Sequence, residues 1–278
     1  MDTRLRLKHE ALRAILAKTG GLVIAYSGGV DSSLVLRVAV DALADRALAV
    51  TATSPTYPSH EVEEAIRLAR GLGARHRVIS TDELEMDAFA SNPPGRCYYC
   101  KTELFQRLLD IARDEGLAVV ADGANVDDVK DYRPGHRAAA ELGIRSPLRE
   151  AGLGKADVRV LSHALGLPTW DKPSFACLAS RFPYGDRITE DKLAQVSAAE
   201  RVLRDLGFSQ LRVRHHGDMA RIEVDPGEFA TIIGQGNREA IVQALRELGY
   251  LYVTLDLAGY RMGSMNEPLK AKACQETR

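Results

Sequence analysis

Residues 22–33 read Leu-Val-Ile-Ala-Tyr-Ser-Gly-Gly-Val-Asp-Ser-Ser: an apolar run, two glycines, an acid and two serines. The apolar run predicts a strand ending at Tyr26. Gly28 and Gly29 let the backbone turn tightly and approach a ligand, because glycine has no Cβ to obstruct it. Asp31, Ser32 and Ser33 then open a helical pattern in which Leu34, Val35, Val38, Ala39, Ala42 and Leu43 recur at helical spacing. Ser27, Gly28, Gly29, Val30, Asp31, Ser32 and Ser33 thus put N–H donors at a positive helix end, a binding site for pyrophosphate. Asp31 is the candidate Mg²⁺ ligand, since Mg²⁺ takes one or two carboxylates together with phosphate oxygens. Thr53 and Ser54 are placed to seat the nucleoside, and Gly123 in Asp-Gly-Ala-Asn-Val-Asp-Asp to allow close backbone approach. Asp127 and Asp128 are read as a second metal candidate or as a loop brace.

Four cysteines occur: Cys97, Cys100, Cys177 and Cys274. Cys97 and Cys100 are spaced to share a metal, but structural zinc wants four ligands and no second C-x-x-C exists. With Cys177 they would make three thiolates, which suit a [4Fe–4S] cluster with one iron left open. Two half-buried thiols beside an active site is the plainer reading. Cys177 lies near Lys172 and Arg181, cations that would favour a thiolate able to attack an adenylated carboxylate. A core cysteine is its structural alternative. Arg212 and Arg214 alternate along a strand pattern, and two guanidinium groups on one face fit a phosphate or carboxylate as well as a solvated edge. Glu200 and Glu223 are weaker candidates.

These residues need elements to hold them. Strands are predicted at 22–26, 47–53, 76–80 and 118–121, with helices near 32–45, 60–72 and 103–115. That alternation predicts an α/β fold, a doubly wound and mostly parallel sheet with ligands at the carboxyl ends of its strands. Helical patterning returns over 149–167, followed by an irregular segment carrying Trp170, Cys177 and Arg181. A helix to about 206, strands at 210–215 and 220–224, a helix near 237–248 and a strand at 251–255 predict a small α+β domain. The expected divisions are 1–170 for the nucleotide domain, 171–188 for the cysteine loop, 189–267 for a substrate or oligomerisation domain, and 268–278 for a disordered tail.

The 278 residues carry 37 Lys and Arg against 38 Asp and Glu, a net charge of −1 that advertises no nucleic-acid partner. No apolar stretch is long enough to span a bilayer, and the charged N-terminus reads as a helix, not a signal peptide. A cytoplasmic location is expected, with cysteines that are metal-binding or catalytic rather than paired in disulfides.

The Ser27–Ser33 segment is neither a Walker loop nor a dinucleotide fingerprint. It resembles the pyrophosphate loop of the ATP pyrophosphatases, which split ATP into AMP and pyrophosphate. Together with Pro-Pro-Gly-Arg-Cys-Tyr-Tyr-Cys-Lys (93–101), the 122–128 and 131–135 segments, 172–185 and 255–267, it resembles the LarE-type ATP-dependent sulfur transferases over 5–268. That resemblance implies adenylation of the carboxylates of a pyridinium-3,5-biscarboxylic acid mononucleotide, replacement of AMP by sulfur, and a place in making a nickel-pincer nucleotide. It implies ATP, Mg²⁺, a homo-oligomer (typically a hexamer), and Arg212 and Arg214 on the substrate phosphate. One variant of the family gives up the sulfur of a cysteine matching Cys177; another has three cysteines and a [4Fe–4S] cluster. The triad of Cys97, Cys100 and Cys177 favours the cluster form. The rivals are a tRNA thiolation enzyme, an ammonia-using ligase of the NAD synthetase kind, and a nucleotide sensor without catalysis.

Overall fold

The computed structural model describes residues 2–130, 134–173, 176–261 and 263–267. Cys274, the 268–278 segment, Ser174, Phe175, Met262 and the first three residues of the 131–135 segment lie outside them. The chain divides into two compact units, one of residues 1–89 and 94–175, the other of residues 90–93 and 176–278.

In the first unit α1 (Thr3–Ala17) precedes β1 (Leu22–Ala25), α2 (Val30–Leu43), β2 (Ala47–Thr53), α3 (Ser59–Gly71) and β3 (Arg75–Ser80). A short α4 (Asp87–Ala90), the long α5 (Arg96–Asp114), β4 (Val119–Ala121), α6 (Gly135–Glu141), α7 (Pro147–Glu150) and α8 (Lys155–Ala164) follow. The four strands pair in the order β3-β2-β1-β4, all parallel, as the α/β alternation predicts. Successive residues of a strand face opposite sides, and both sides of β1, β2 and β4 are covered, whereas the edge strand β3 is largely exposed. Leu22, Ile24, Ala47 and Ala49 pack with Leu34, Val38 and Leu161, while Val23, Leu48, Val50 and Val120 pack with Phe105, Leu108 and Ile111. A sheet buried on both faces needs apolar side chains at consecutive positions, which is why β1 reads as an unbroken Leu-Val-Ile-Ala run. The carboxyl ends of β1, β2 and β4 therefore lie along one edge. The chain runs outward from β1 through β2 to β3, and the connection after β3 crosses back to place β4 on the other side of β1, which makes a topological switch point there.

Two boundaries differ from the sequence expectation. α5 begins at Arg96, directly after Pro93-Pro94-Gly95, and not near 103, so both Cys97 and Cys100 lie on its first turns. The stretch 96–103 carries little apolar periodicity, so its pattern hid the helix. The 149–167 pattern is two helices, α7 and α8, separated by Gly152 at φ +68°.

In the second unit a 3₁₀ turn (Leu178–Arg181) leads to α9 (Glu190–Asp205), β5 (Leu211–His216), β6 (Met219–Val224), α10 (Phe229–Ile233), α11 (Gln235–Glu247) and β7 (Tyr252–Leu255). The sheet order is β5-β6-β7, the first pair antiparallel and the second parallel. Leu203, Leu211, Val213, Ile222, Val224 and Leu245 form its core. Residues 90–93 join this unit through their backbone and through Asn92. Gly185 and Ile188 donate N–H bonds to the carbonyls of Asn92 (2.9 Å) and Ala90 (2.8 Å). The fully buried Asn92 Nδ2 donates to the carbonyls of Pro183 (2.6 Å) and Phe182 (3.3 Å).

Asn92 holds φ +54°, a region where a non-glycine residue needs compensation. Asn92→Ala removes that compensation and orphans buried carbonyls, so it should cost about 3 kcal/mol in urea unfolding followed by circular dichroism. Asn92→Gly, which relieves the backbone alone, should recover part of the loss. Unchanged stability in Asn92→Ala would show that the side chain does not secure this segment.

Candidate functional site

The loop after β1 is shaped by its own hydroxyls. Ser32 Oγ accepts the Ser27 N–H (3.3 Å) and donates to the Gly29 carbonyl (3.3 Å), and Ser27 Oγ accepts the Gly29 N–H (3.4 Å). The two hydroxyls lie 3.1 Å apart. Gly29 is the N-cap of α2, so Val30, Asp31 and Ser32 contribute N–H groups that have no carbonyl partner within the helix. Gly28 holds φ +69°, and a Cβ there would come 2.8 Å from Ala65 Cβ, so the turn seats directly on α3. No larger residue fits.

The loop after β4 meets the same helix end. A Cβ on Gly123 would lie 2.9 Å from the Ser32 backbone nitrogen, so the two backbones touch. Beyond Gly123 the loop is braced at every polar position. Asp128 accepts the Asn125 N–H (2.9 Å), Asn125 Oδ1 accepts the Asp127 N–H (2.9 Å), and Asp127 accepts the Lys155 N–H (2.8 Å) at the start of α8. Asp127 and Asp128 fix the loop.

Asp31 stands in the first turn of α2, half-buried. Its Oδ1 accepts from Asn125 Nδ2 (3.1 Å), and its Oδ2 is ion-paired to the Lys155 ammonium. A carboxylate that already carries a cation, beside helix N–H groups suited to phosphates, is a donor of the kind Mg²⁺ takes. Sequence reasoning missed both Asn125 and Lys155. The available signal was electrostatic: Lys155 is the first residue of α8, where a positive charge opposes the helix dipole and calls for an external partner.

At the end of β2, Thr53 is half-buried and its carbonyl accepts the Thr81 N–H (3.0 Å). Ser54 is engaged by the buried Glu83, which accepts from the Ser54 hydroxyl (2.5 Å) and the Thr56 hydroxyl (2.7 Å). Lys172 lies half-buried between Glu61 (2.8 Å) and Glu64 (2.7 Å). Burial alone would lower its pKa, but the two carboxylates raise it above its ordinary value.

Cys97, exposed, and Cys100, half-buried, are three residues apart on α5 and share a helix face. That turn is anchored by α6. Gly135 abuts Lys101 and the Cys97 carbonyl, Arg137 stacks on the Tyr98 ring at 4.0 Å, and the Tyr98 hydroxyl donates to Glu141 (2.6 Å). Within this unit, among the described residues, no third Cys, His, Asp or Glu gathers with them as a metal-holding group.

In the second unit, half-buried Cys177 precedes the 3₁₀ turn, and arginines hold its loop by the backbone. Arg181, fully buried, grips Glu200 through two bonds (2.8 and 3.0 Å) and donates to the carbonyls of Ala176 (2.7 Å) and Cys177 (3.1 Å). Arg214 grips buried Glu223 (2.9 and 2.8 Å) and donates to the Ser180 carbonyl (2.6 Å) and the Ser264 hydroxyl (2.8 Å). Arg212 donates to the Leu211 carbonyl (2.7 Å) and the Tyr260 hydroxyl (3.3 Å). Burial and the nearby Arg181 charge lower Arg212 to about 10, so it is charged at neutral pH. Glu200 and Glu223, ranked low from sequence, are the counter-ions on which this arrangement rests. The geometry gives Arg181 a positional role, through the peptide carbonyls of the Cys177 loop.

A family model described as NAD synthase matches residues 7–94, the segment containing the Ser27–Ser33 loop. The pyridinium-3,5-bisthiocarboxylic acid mononucleotide synthase of Lactiplantibacillus plantarum is 44% identical over 269 residues, 95% of this chain and 96% of that protein. This chain belongs to the LarE-type family of ATP-dependent sulfur transferases. An uncharacterised protein of Synechocystis is similar to this LarE-type chain at 46% identity, over 95% of this chain and 99% of its own length. A tRNA-specific 2-thiouridylase of Azorhizobium caulinodans is 31% identical, but over only 55% of this chain and 48% of its own. ATP use is common to these relatives' pyrophosphate-loop superfamily, and no described helix of the LarE-type chain is long and apolar enough to cross a membrane.

Burial pushes the Glu200 carboxyl up, but Arg181, Arg212 and Arg204 together hold it below its ordinary 4.5. Its contribution to stability is complete above 4.5 and is lost as pH falls through its folded-state value. Glu200→Gln should cost about 3 kcal/mol at neutral pH, because it leaves Arg181 buried without its carboxylate. The gap to wild type in thermal or urea unfolding should narrow below pH 4.5. A gap independent of pH would rule out an ionised pair.

Proposed function

We propose that this chain adenylates the carboxylates of pyridinium-3,5-biscarboxylic acid mononucleotide and exchanges AMP for sulfur, giving the thiocarboxylates of a nickel-pincer nucleotide. The observation that carries this reading is the Ser27–Ser33 loop, whose hydroxyls and glycines present backbone N–H groups beside a carboxylate. Val30, Asp31 and Ser32 would bind the ATP phosphates, with Ser27, Gly28, Gly29 and Ser33 setting the loop and Thr53 and Gly123 bordering the nucleoside. Asp31 would hold Mg²⁺, which offsets phosphate charge when bound. A substrate carboxylate oxygen attacks the α-phosphorus, a P–O bond forms, and pyrophosphate leaves. The chain's contribution is positioning and charge stabilisation.

Sulfur then attacks the acyl carbon and AMP departs with the bonding pair. Cys177 is assigned to this step either as the donor of its own sulfur or as a ligand of the cluster that donates it, with Arg181 fixing the carbonyls on either side of it. Cys97, Cys100 and Cys177 would hold a [4Fe–4S] cluster that supplies sulfide, and the shared helix face of Cys97 and Cys100 suits two thiolate ligands. Arg212 and Arg214 are assigned to the substrate phosphate. Three buried arginines, 181, 212 and 214, face two buried glutamates, and an anion would balance the excess charge. The reading includes a cytoplasmic homo-oligomer, a hexamer by family resemblance. It includes no nucleic-acid partner, in keeping with the net charge of −1.

With ATP, Mg²⁺ and the pyridinium dicarboxylate, the expected products are AMP and pyrophosphate; release of ADP and phosphate alone would refute the assignment. Cys177→Ala should abolish thiocarboxylate formation while leaving AMP release intact. Tight, salt-resistant tRNA binding in a filter assay would favour a thiouridylase instead.

The sulfur source has its own test. Anaerobically purified protein should be brown and contain iron and sulfide, and Cys97→Ala or Cys100→Ala should remove both colour and sulfur transfer. Colourless, iron-free wild-type protein, with full activity in Cys97→Ala and loss of H₂S from Cys177 by mass spectrometry, would establish a sacrificial cysteine.

A further inference from the structure

Lys155 is a charge in an unfavourable local place. It opens α8 directly after the Gly154 N-cap, where the helix dipole disfavours a cation. Its backbone is nevertheless fixed, because Asp127 accepts its N–H and the neighbouring Gly154 carries no side chain that would strike that carboxylate. Its ammonium reaches across to Asp31, 124 positions away in sequence, and both side chains remain partly exposed at 32% and 23%. Asn125 takes the other Asp31 oxygen. Both oxygens of the proposed metal ligand are thus engaged by N–H donors of the chain itself.

A divalent cation arriving without nucleotide would have to displace the ammonium. It would gain Asp31 and at most one further such side chain, since among the described residues of this unit no group of three metal-binding side chains is present. Mg²⁺ gives up water reluctantly and draws its other ligands from phosphate oxygens. When a polyphosphate arrives, the exchange changes sign. Phosphate oxygens complete the metal's coordination, and they also accept the displaced ammonium, for which a compact cation with three donors is suited.

We propose that Lys155 is an internal counter-ion for Asp31 that yields the carboxylate to the metal only when nucleotide phosphates arrive, coupling metal binding to nucleotide binding. This rests on the assignment of ATP and Mg²⁺ to the Ser27–Ser33 loop. Lys155 acts here as a positioning residue.

The test uses the full chain and Mn²⁺ as a paramagnetic probe, titrated without nucleotide and read by electron paramagnetic resonance. Lys155→Met should bind Mn²⁺ alone about tenfold or more tightly than wild type, a change of about the size expected for removing a cation from a partly exposed carboxylate. Its affinity for ATP in EDTA, measured by calorimetry, should fall by a similar factor. Lys155→Arg, which keeps the charge, should leave Mn²⁺ binding weak. Equal Mn²⁺ affinity in wild type and Lys155→Met would overturn the inference, as would a gain in Lys155→Arg equal to that in Lys155→Met. Asp31→Asn separates this from the larger reading. Loss of the Mn²⁺ site there, with no gain in Lys155→Met, rejects the counter-ion alone. Persistence of the site in Asp31→Asn rejects the metal assignment and the inference with it.

Discussion

The contact between the backbones of Gly123 and Ser32 is the constraint on which the nucleotide-binding half depends. Two chain segments meet there at a distance that leaves no room for a Cβ, on the side of the sheet edge where the connections diverge. Once that contact is made, Asn125 reaches Asp31, and Asp127 reaches the first N–H of α8. Lys155 follows from the same placement. One missing methyl group therefore aligns the free N–H groups of the α2 start, Asp31 and the lysine paired with it. Gly28 makes the same demand on the other flank, where α3 presses against the turn. A loop squeezed between two backbones has little freedom to lose on binding an anion, which favours tight recognition.

The second unit solves a different problem with charge. The loop around Cys177 has no regular ladder to hold its carbonyls, and a buried carbonyl without a donor is costly. Arg181 and Arg214 supply those donors, each fixed by a bidentate bond to a glutamate in the core. Burying such pairs is an expensive way to gain stability, and apolar residues of similar volume often serve as well. What apolar residues lack is donors at defined directions. The arginine–glutamate pairs thus make sense as a device for fixing backbone geometry next to a thiol.

The cysteine pair of α5 shows how a motif's meaning depends on its element. In an extended loop, residues three apart have no fixed relation. On a helix they occupy one face, and here Tyr98, held by Arg137 and Glu141 of α6, anchors the turn that carries them. The glycine of the 131–135 segment has its purpose in the same place, lying against Lys101 and the Cys97 carbonyl.

The sequence by itself determined the elements whose requirements are local. Largely apolar strands alternating with amphipathic helices specify a doubly wound sheet, and the Gly-Gly turn before Asp-Ser-Ser specifies a helix start with free N–H groups. These are properties of contiguous residues, so a linear reading finds them. The turns of α5 before residue 103 escaped it because their side chains follow no core-facing period. The partners of the charged groups escaped it for a different reason. Asp31 with Lys155, Arg181 with Glu200 and Arg214 with Glu223 are choices among 37 basic and 38 acidic side chains, any of which pairs chemically with any other. Only the fold's topology, by bringing particular backbones together, decided which of them meet.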